Sequence, residues 1–258
     1  MERNYWIYED CFIFKPDFNG SIIDYSDIIK QCSKLFFSNY GHLASFVDYY
    51  NNKDYLWFNR FNKYTGSEFN QPLHNSLNQL TNITLIYFGD SFNCFLANSL
   101  EKLINLNHLT FGFYFNKSLA NSLDKLINLT HLTFGDKFNH PLANLLIKLT
   151  KLEQLELGEE FNHELFPPPS IKTLSLNCNK QNLIDNLPNS IEQIILNSNF
   201  NLPLDNLPNS IKKISFGRNY LYNKKLNNLP KSLEQIELNF TYELEIKNIP
   251  ANCKIIYL

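Results

Sequence analysis

Four of the six histidines fall into two pairs at a 23-residue interval, His108 with His131 and His140 with His163. Imidazoles at matched places in stacked units lie close enough to ligate a metal, but a zinc site needs at least a third ligand. The neighbouring places in the first column are held by Leu85 and Gln154, so both pairs read as copies made along with the unit that carries them. The five cysteines, Cys11, Cys32, Cys94, Cys178 and Cys253, are odd in number, widely spread and never in a Cys-x-x-Cys pair. That pattern suits reduced, buried thiols better than disulfides or zinc. No nucleophile with its base, no paired acid and base and no glycine-rich phosphate loop occurs. The expectation is a protein that is not an enzyme and uses no metal and no cofactor.

The elements that position these residues follow from a repeat. Phe-Asn recurs at Phe69-Asn70, Phe92-Asn93, Phe115-Asn116, Phe138-Asn139 and Phe161-Asn162, each copy 23 residues after the last. A unit of this size cannot bury its own apolar face, so neighbours must stack into a solenoid with one continuous core. Aligned copies give nine candidate strands: 83–88, 106–111, 129–134, 152–157, 171–176, 191–196, 211–216, 233–238 and 253–258. Positions one, four and six of each are nearly always apolar, as in Leu106, Leu109 and Phe111. Side chains alternate across a strand, so positions four and six enter the core while three and five face the concave side of a parallel stack. Later copies extend to Leu-x-x-Leu-x-Leu-x-x-Asn, with Asn179, Asn199 and Asn219 in the last place; that is the leucine-rich-repeat signature. These asparagines are expected to bond the turning backbone.

An aromatic column follows each strand, Phe69, Phe92, Phe115, Phe138, Phe161, Phe200, Tyr220 and Tyr242, and Lys180 interrupts it. The return segments of the 23-residue copies, such as 119–126, have apolar residues at helical spacing. After Phe166-Pro167-Pro168-Pro169 the copies shorten and carry Leu187-Pro188, Leu207-Pro208 and Leu229-Pro230, so their backs are expected to be extended or 3₁₀-like. The predicted fold class is an α/β solenoid, leucine-rich-repeat-like, with about nine parallel strands, short helical and then extended or 3₁₀ convex segments, and a small, mostly α N-terminal cap. Residues 1–66 are the aromatic-rich cap and 67–258 the solenoid. In the cap, Ser26 with Ile28, Ile29, Cys32, Leu35 and Phe36 reads as a capped amphipathic helix, 43–50 as a second and 55–61 as a degenerate strand.

A formal charge of -2 gives no basic face for nucleic acid or an anionic membrane. No apolar run approaches the roughly 18 to 20 residues needed to cross a bilayer. The N-terminus, Met1-Glu2-Arg3-Asn4-Tyr5-Trp6, lacks the layout of a secretory signal, and the expected location is cytoplasmic. Sequons at Asn19, Asn82, Asn116, Asn128 and Asn239 are explained by the abundance of Asn.

Position two of the later strands alternates in sign, Glu153, Lys172, Glu192, Lys212, Glu234 and Lys254, a ladder expected to neutralise itself. The earlier strands instead present Tyr87, Asn107, His108, Thr110, Thr130, His131 and Thr133, joined by Gln154 and Glu156, with no evident partners in the sequence. Such a neutral surface of donors and acceptors suits a polypeptide partner. Tyr87, His108, Thr110, His131, Thr133, Gln154 and Glu156 are the candidate contact residues. The last strand, ending at Leu258, is expected to leave a parallel edge open to weak self-association.

Phe69-Asn70-Gln71-Pro72-Leu73, Phe138-Asn139-His140-Pro141-Leu142, the Leu-Pro-x-Ser turns and Leu-Thr-Phe-Gly at 109–112 and 132–135 resemble FNIP repeats, a leucine-rich-repeat variant. The resemblance covers roughly 67–258 and implies an interaction module with no catalytic residues to transfer. Some similar proteins carry an N-terminal F-box that recruits a ubiquitin ligase. The alternative is therefore a substrate adaptor in which a divergent F-box-like segment, residues 20–62, docks the ligase, although the Leu-Pro opening is absent before its helix.

Overall fold

The computed structural model describes residues 3–51, 66–197, 200–217 and 221–258. Within them twelve strands form a single sheet in chain order: β1 (Tyr5–Tyr8), β2 (Cys11–Phe14), β3 (Lys34–Phe37), β4 (Leu85–Tyr87), β5 (His108–Thr110), β6 (His131–Thr133), β7 (Gln154–Leu157), β8 (Thr173–Leu176), β9 (Gln193–Leu196), β10 (Lys213–Ser215), β11 (Gln235–Leu238) and β12 (Lys254–Tyr257). Only β1 runs antiparallel, against β2; every later pairing is parallel. The nine strands expected from the repeat are β4 to β12. The fold is an α/β leucine-rich-repeat solenoid, and in β4 to β11 positions one, four and six are buried as the pattern requires, as with Leu129, Leu132 and Phe134, whereas in β12 Ile256 and Leu258 are exposed.

Two columns of rings fill the core. Phe37, Phe88, Phe111 and Phe134 stack at successive centroid distances of 5.6, 5.6 and 5.5 Å. Phe69, Phe92, Phe115, Phe138 and Phe161 stack beside them at 5.8 to 6.4 Å. The columns touch rung by rung, with Phe88–Phe92 at 4.2 Å and Phe111–Phe115 at 4.0 Å. Nearly parallel, offset rings at these separations combine large apolar burial with favourable quadrupole geometry. Further on, the seat expected for Tyr220 belongs to Tyr222, which lies 6.3 Å from Phe200 and 6.0 Å from Tyr242. Tyr220 itself lies outside the described residues. At Lys180, where the column breaks, α4 (Gln181–Asp185) begins and buries Leu183 and Ile184 instead of a ring.

Beside the rings runs a ladder of asparagines. The backbone N–H of Asn93 donates to Asn70 Oδ1 at 2.9 Å, Asn116 to Asn93 at 2.9 Å, Asn139 to Asn116 at 3.0 Å and Asn162 to Asn139 at 3.0 Å. The same bond joins Asn201 to Asn179 and Asn223 to Asn201 at 3.1 Å each. These corners have no sheet partner, so the amide side chain supplies one to each turning N–H. Asn199 and Asn219 lie outside the described residues.

The N-terminal segment is not mostly helical, because it contributes β1 to β3 to the sheet. A 3₁₀ turn (Ile22–Tyr25) and α1 (Ser26–Ile29) end before the expected helix does, and Leu35 and Phe36 fall in β3. Phe14 and Phe18 occupy the two aromatic seats, with Phe14–Phe37 at 5.1 Å and Phe18–Phe69 at 5.8 Å. Asn19 Oδ1 accepts from the N–H of Asn70 at 3.0 Å, so the asparagine ladder starts here. Phe37 and Phe69 share a rung at 4.1 Å although 32 residues separate them, whereas Phe88 and Phe92 are four apart. The intervening stretch is an insertion, and it carries α2 (Leu43–Asn51), the second expected helix. The strand expected at 55–61 lies outside the described residues.

On the convex side the first three 23-residue copies turn rather than coil into helix. Leu77 and Leu80, Leu100 and Leu103, and Leu123 and Leu126 close successive i to i+3 bonds, and His74, Ala97 and Ala120 each hold positive φ, at 45°, 46° and 39°. In the fourth copy Leu145 stands where Ser99 and Ser122 stand earlier, and there α3 (Ala143–Leu146) forms. Serine competes for backbone bonds where leucine favours helix. The left-handed backbone at Ala97 and Ala120 costs a side-chain-bearing residue roughly 1–2 kcal/mol that glycine escapes, partly offset by glycine's greater chain entropy. Ala97→Gly and Ala120→Gly are each expected to stabilise by about 0.5 kcal/mol, seen as a raised urea midpoint at unchanged slope.

Candidate functional site

Alternation along the strands places two rows of side chains on the concave face. Register sets Leu85, His108, His131, Gln154 and Thr173 side by side in one row, and Tyr87, Thr110, Thr133, Glu156 and Ser175 in the other. All seven candidate contact residues therefore lie on one face, on β4 to β7.

The insertion bounds this face on one side. Cys11, Ile13, Phe36 and Phe46 form a second apolar cluster with Leu43, Val47, Tyr50, Leu85 and Tyr87 packed against it, so α2 covers the concave surface of β2 to β4. Lys34 Nζ ties the helix down, donating to Tyr50 OH at 2.7 Å and to Asp10 Oδ1 at 2.8 Å. The hydrogen bond from Lys34 holds the Asp10 carboxyl below the usual carboxylate range. Tyr87 lies at the margin of this cover. Its ring packs on Phe36 at 6.1 Å, and its hydroxyl accepts from Asn39 Nδ2 at 3.1 Å.

Past that margin the surface opens at His108 and His131, whose rings stack at 3.9 Å and 13°. Asn107 and Thr130, which showed no evident partner in the sequence, each hold the imidazole that follows: His108 Nδ1 lies 2.6 Å from Asn107 Oδ1 and His131 Nδ1 2.8 Å from Thr130 Oγ1. Burial pushes the His108 pKa down to about 4, aided by the charges of His131 and Lys34. Burial also lowers His131, against the raising effect of Glu153. Both folded-state values lie below the unfolded value near 6.5, so the unfolded chain binds more protons in acid. Stability from this pair is complete above about pH 6.5 and falls as pH drops towards 4. His108→Gln should flatten the Tm profile across that window, and an unchanged slope would show that the stack does not control it.

Glu156 is 2 % exposed, and near it polar groups turn inward. Asn177 Nδ2 donates to Asp136 Oδ1 at 2.9 Å across the intervening coil, and Asn197 Nδ2 donates to Ser175 Oγ at 3.0 Å. Asp136, Ser175 and Asn177 were not singled out from the sequence; the available signal was Asn177 at a corner held by Gly in the four copies before it, and an acid at Asp136 matching Asp90 and Glu159. His140 and His163, the second histidine pair, instead approach the carbonyls of Asn116 and Asn139 at 3.3 and 3.2 Å, in line with a structural role.

The far side of the face is charged and internally paired. Lys213 and Glu237 meet at 2.5 Å, with Gln235 Nε2 donating to Glu237 at 2.6 Å. In the position-two column Glu192 and Lys212 close an ion pair at 2.8 Å. The column ends differently from expectation, because Lys254 stands opposite Gln235 and not Glu234. A one-residue shift in β12 carries Lys254 to the concave row.

Residues 179–219 match the family described as FNIP Repeat. This segment carries FNIP repeats. Among curated proteins, none matches the chain. Among solved structures, the solenoid is similar to CroV588, described as a circular LRR protein, at 24% identity and a TM-score of 0.60, covering 99% of this chain and 41% of that one. A chain in the Toll–Spatzle complex of Drosophila is similar at 16% identity and a TM-score of 0.52, covering 93% of this chain and 31% of that one. The chain thus spans about two fifths of CroV588 and under a third of the other. At these identities the likeness is one of fold. No described helix is long and apolar enough to cross a membrane.

Proposed function

We propose that the protein is a non-enzymatic interaction module whose concave face, from β5 to β7, binds a polypeptide. The observation that supports this most is the contrast along one sheet: β2 to β4 are covered by the chain's own helix, β10 and β11 pair their charges internally, and between them lies a neutral, half-buried surface of His, Thr and Gln. Residues 1–66 act as the cap and 67–258 as the binding solenoid, with copies of 23 residues to about 165 and of 20–22 beyond. The FNIP repeat and the fold of the solved relatives are those of protein-interaction scaffolds.

Capture from native cells tests the reading. Thr133→Lys and Gln154→Lys place a bulky charge on the face and are expected to weaken capture of a polypeptide about ten-fold, the scale of a lost interface anchor. Lys125→Glu, on the exposed back, should leave capture unchanged. Equal capture by all three variants would reject the concave face.

The adaptor reading is less well supported, since Ile29, Cys32, Leu35 and Phe37 from its docking segment are buried in the solenoid core and Phe36 of β3 and Phe46 of α2 are buried together in the second cluster. A ubiquitin-ligase subunit among the captured proteins would revive it. A second surface lies at β12, where Ile256, Tyr257 and Leu258 are exposed and weak self-association is possible to test by light scattering of the chain against Tyr257→Lys.

A further inference from the structure

The stacked histidines have a definite proton arrangement. An amide oxygen only accepts, so the 2.6 Å contact with Asn107 Oδ1 requires the proton of His108 on Nδ1. Thr130 Oγ1 donates its hydrogen to the Asn107 carbonyl at 3.0 Å, so towards His131 it too accepts, and His131 carries its proton on Nδ1. Each neutral ring is left with a lone pair on Nε2, and neither Nε2 has a hydrogen-bond partner among the described residues.

With ring centroids 3.9 Å apart and planes tilted by only 13°, the two lone pairs are held side by side. A chelated metal needs lone pairs that converge on one point and further ligands, and the flanking residues in the row are Leu85 and Gln154. Two parallel acceptors instead match a group with two parallel donors, which the planar guanidinium fork supplies. The charges around the pair agree. Lys34 of β3 is already engaged by Asp10 and by Tyr50 of α2, β4 contributes Leu85 and Tyr87, and the β7 coil places the carboxyl of Glu153 on the other flank, with the buried Glu156 opposite Thr133 in the second row.

We propose that the His108–His131 pair is a recognition site for the guanidinium of an arginine on the polypeptide partner. This rests on the concave-face reading and gives that partner a chemical requirement. Protonation of either ring replaces an acceptor with a donor bearing like charge, so recognition holds at neutral pH and fails in acid.

The test uses the full chain labelled with ¹⁵N-histidine and N-acetyl-arginine methylamide as the probe. Long-range ¹H–¹⁵N spectra at pH 7 should show both rings in the Nδ1–H form and both Nε2 signals moving on titration. N-acetyl-norleucine methylamide should leave them still. Between the two histidine midpoints the response should weaken about ten-fold per pH unit, and below both about a hundred-fold, as the fraction with both rings neutral does. His108→Phe with His131→Phe keeps two stacking rings and removes the acceptors, so the response should vanish. An Nε2–H form in either ring of the unmodified chain, no response to the arginine probe, or an equal response to N-acetyl-lysine methylamide would overturn the assignment. If the probe fails while capture remains sensitive to Thr133→Lys, this site alone is lost; if that sensitivity is absent, the concave-face reading falls with it.

Discussion

Gly135→Ala is expected to cost about 3 kcal/mol or more and to leave little folded protein, the upper range for overpacking a rigid site. A Cβ at this position would sit 2.0 Å from the carbonyl oxygen of Gly112 and 2.8 Å from the Cα of Phe113. Those atoms are backbone, so no rotamer change relieves the clash. The same contact recurs along the stack, with Gly112 against Gly89 O at 2.4 Å and Gly158 against Gly135 O at 2.1 Å. One coil cannot move away from the next without stretching the parallel ladder and the asparagine bonds that flank it. Gly66→Ala is the control, because its Cβ would meet only the Asp90 side chain, at 3.3 Å. Urea unfolding of both variants decides the point. A loss below about 1 kcal/mol for Gly135→Ala would mean that adjacent coils are not in close backbone contact there.

The sequence made the stack legible from Phe69 onward because each copy repeats the same apolar positions, and repeated coils must superpose. It concealed the first coil for a physical reason. Phe14, Phe18 and Asn19 carry the same spacing as Phe88, Phe92 and Asn93, but the insertion between Phe37 and Phe69 breaks the interval on which the repeat was recognised. Phe18-Asn19 was the available signal. The register of β12 was illegible for another reason: Ile255, Ile256, Tyr257 and Leu258 are all apolar, so hydrophobic alternation does not say which pair faces the core. For the site, alternation sufficed to put His108, Thr110, His131 and Thr133 on one face. It could not show that Asn107 and Thr130 fix the imidazole tautomers, since bonds between neighbours in sequence depend on side-chain rotamers. Nor could it show α2 lying over Tyr87, which depends on where an insertion folds.

Phe115→Ala should cost about 3–5 kcal/mol, the range for removing a buried aromatic ring, and its second effect is more diagnostic. Phe115 is fully buried and contacts rings in both columns, Phe92 and Phe138 at 6.0 Å each and Phe111 at 4.0 Å. A solenoid is held together by the stability of each coil and by the interfaces between nearest neighbours, so a cavity here weakens the two interfaces of one central coil. The coils on either side keep their own contacts. Unfolding is therefore expected to lose its single transition, with the two flanks melting separately and the calorimetric enthalpy exceeding the van't Hoff value. Phe115→Leu fills more of the space, and should lower stability by less while keeping one transition. A single sharp transition in Phe115→Ala, displaced but undivided, would show that cooperativity passes through the asparagine ladder and the sheet, and that the rings contribute burial without coupling the two ends.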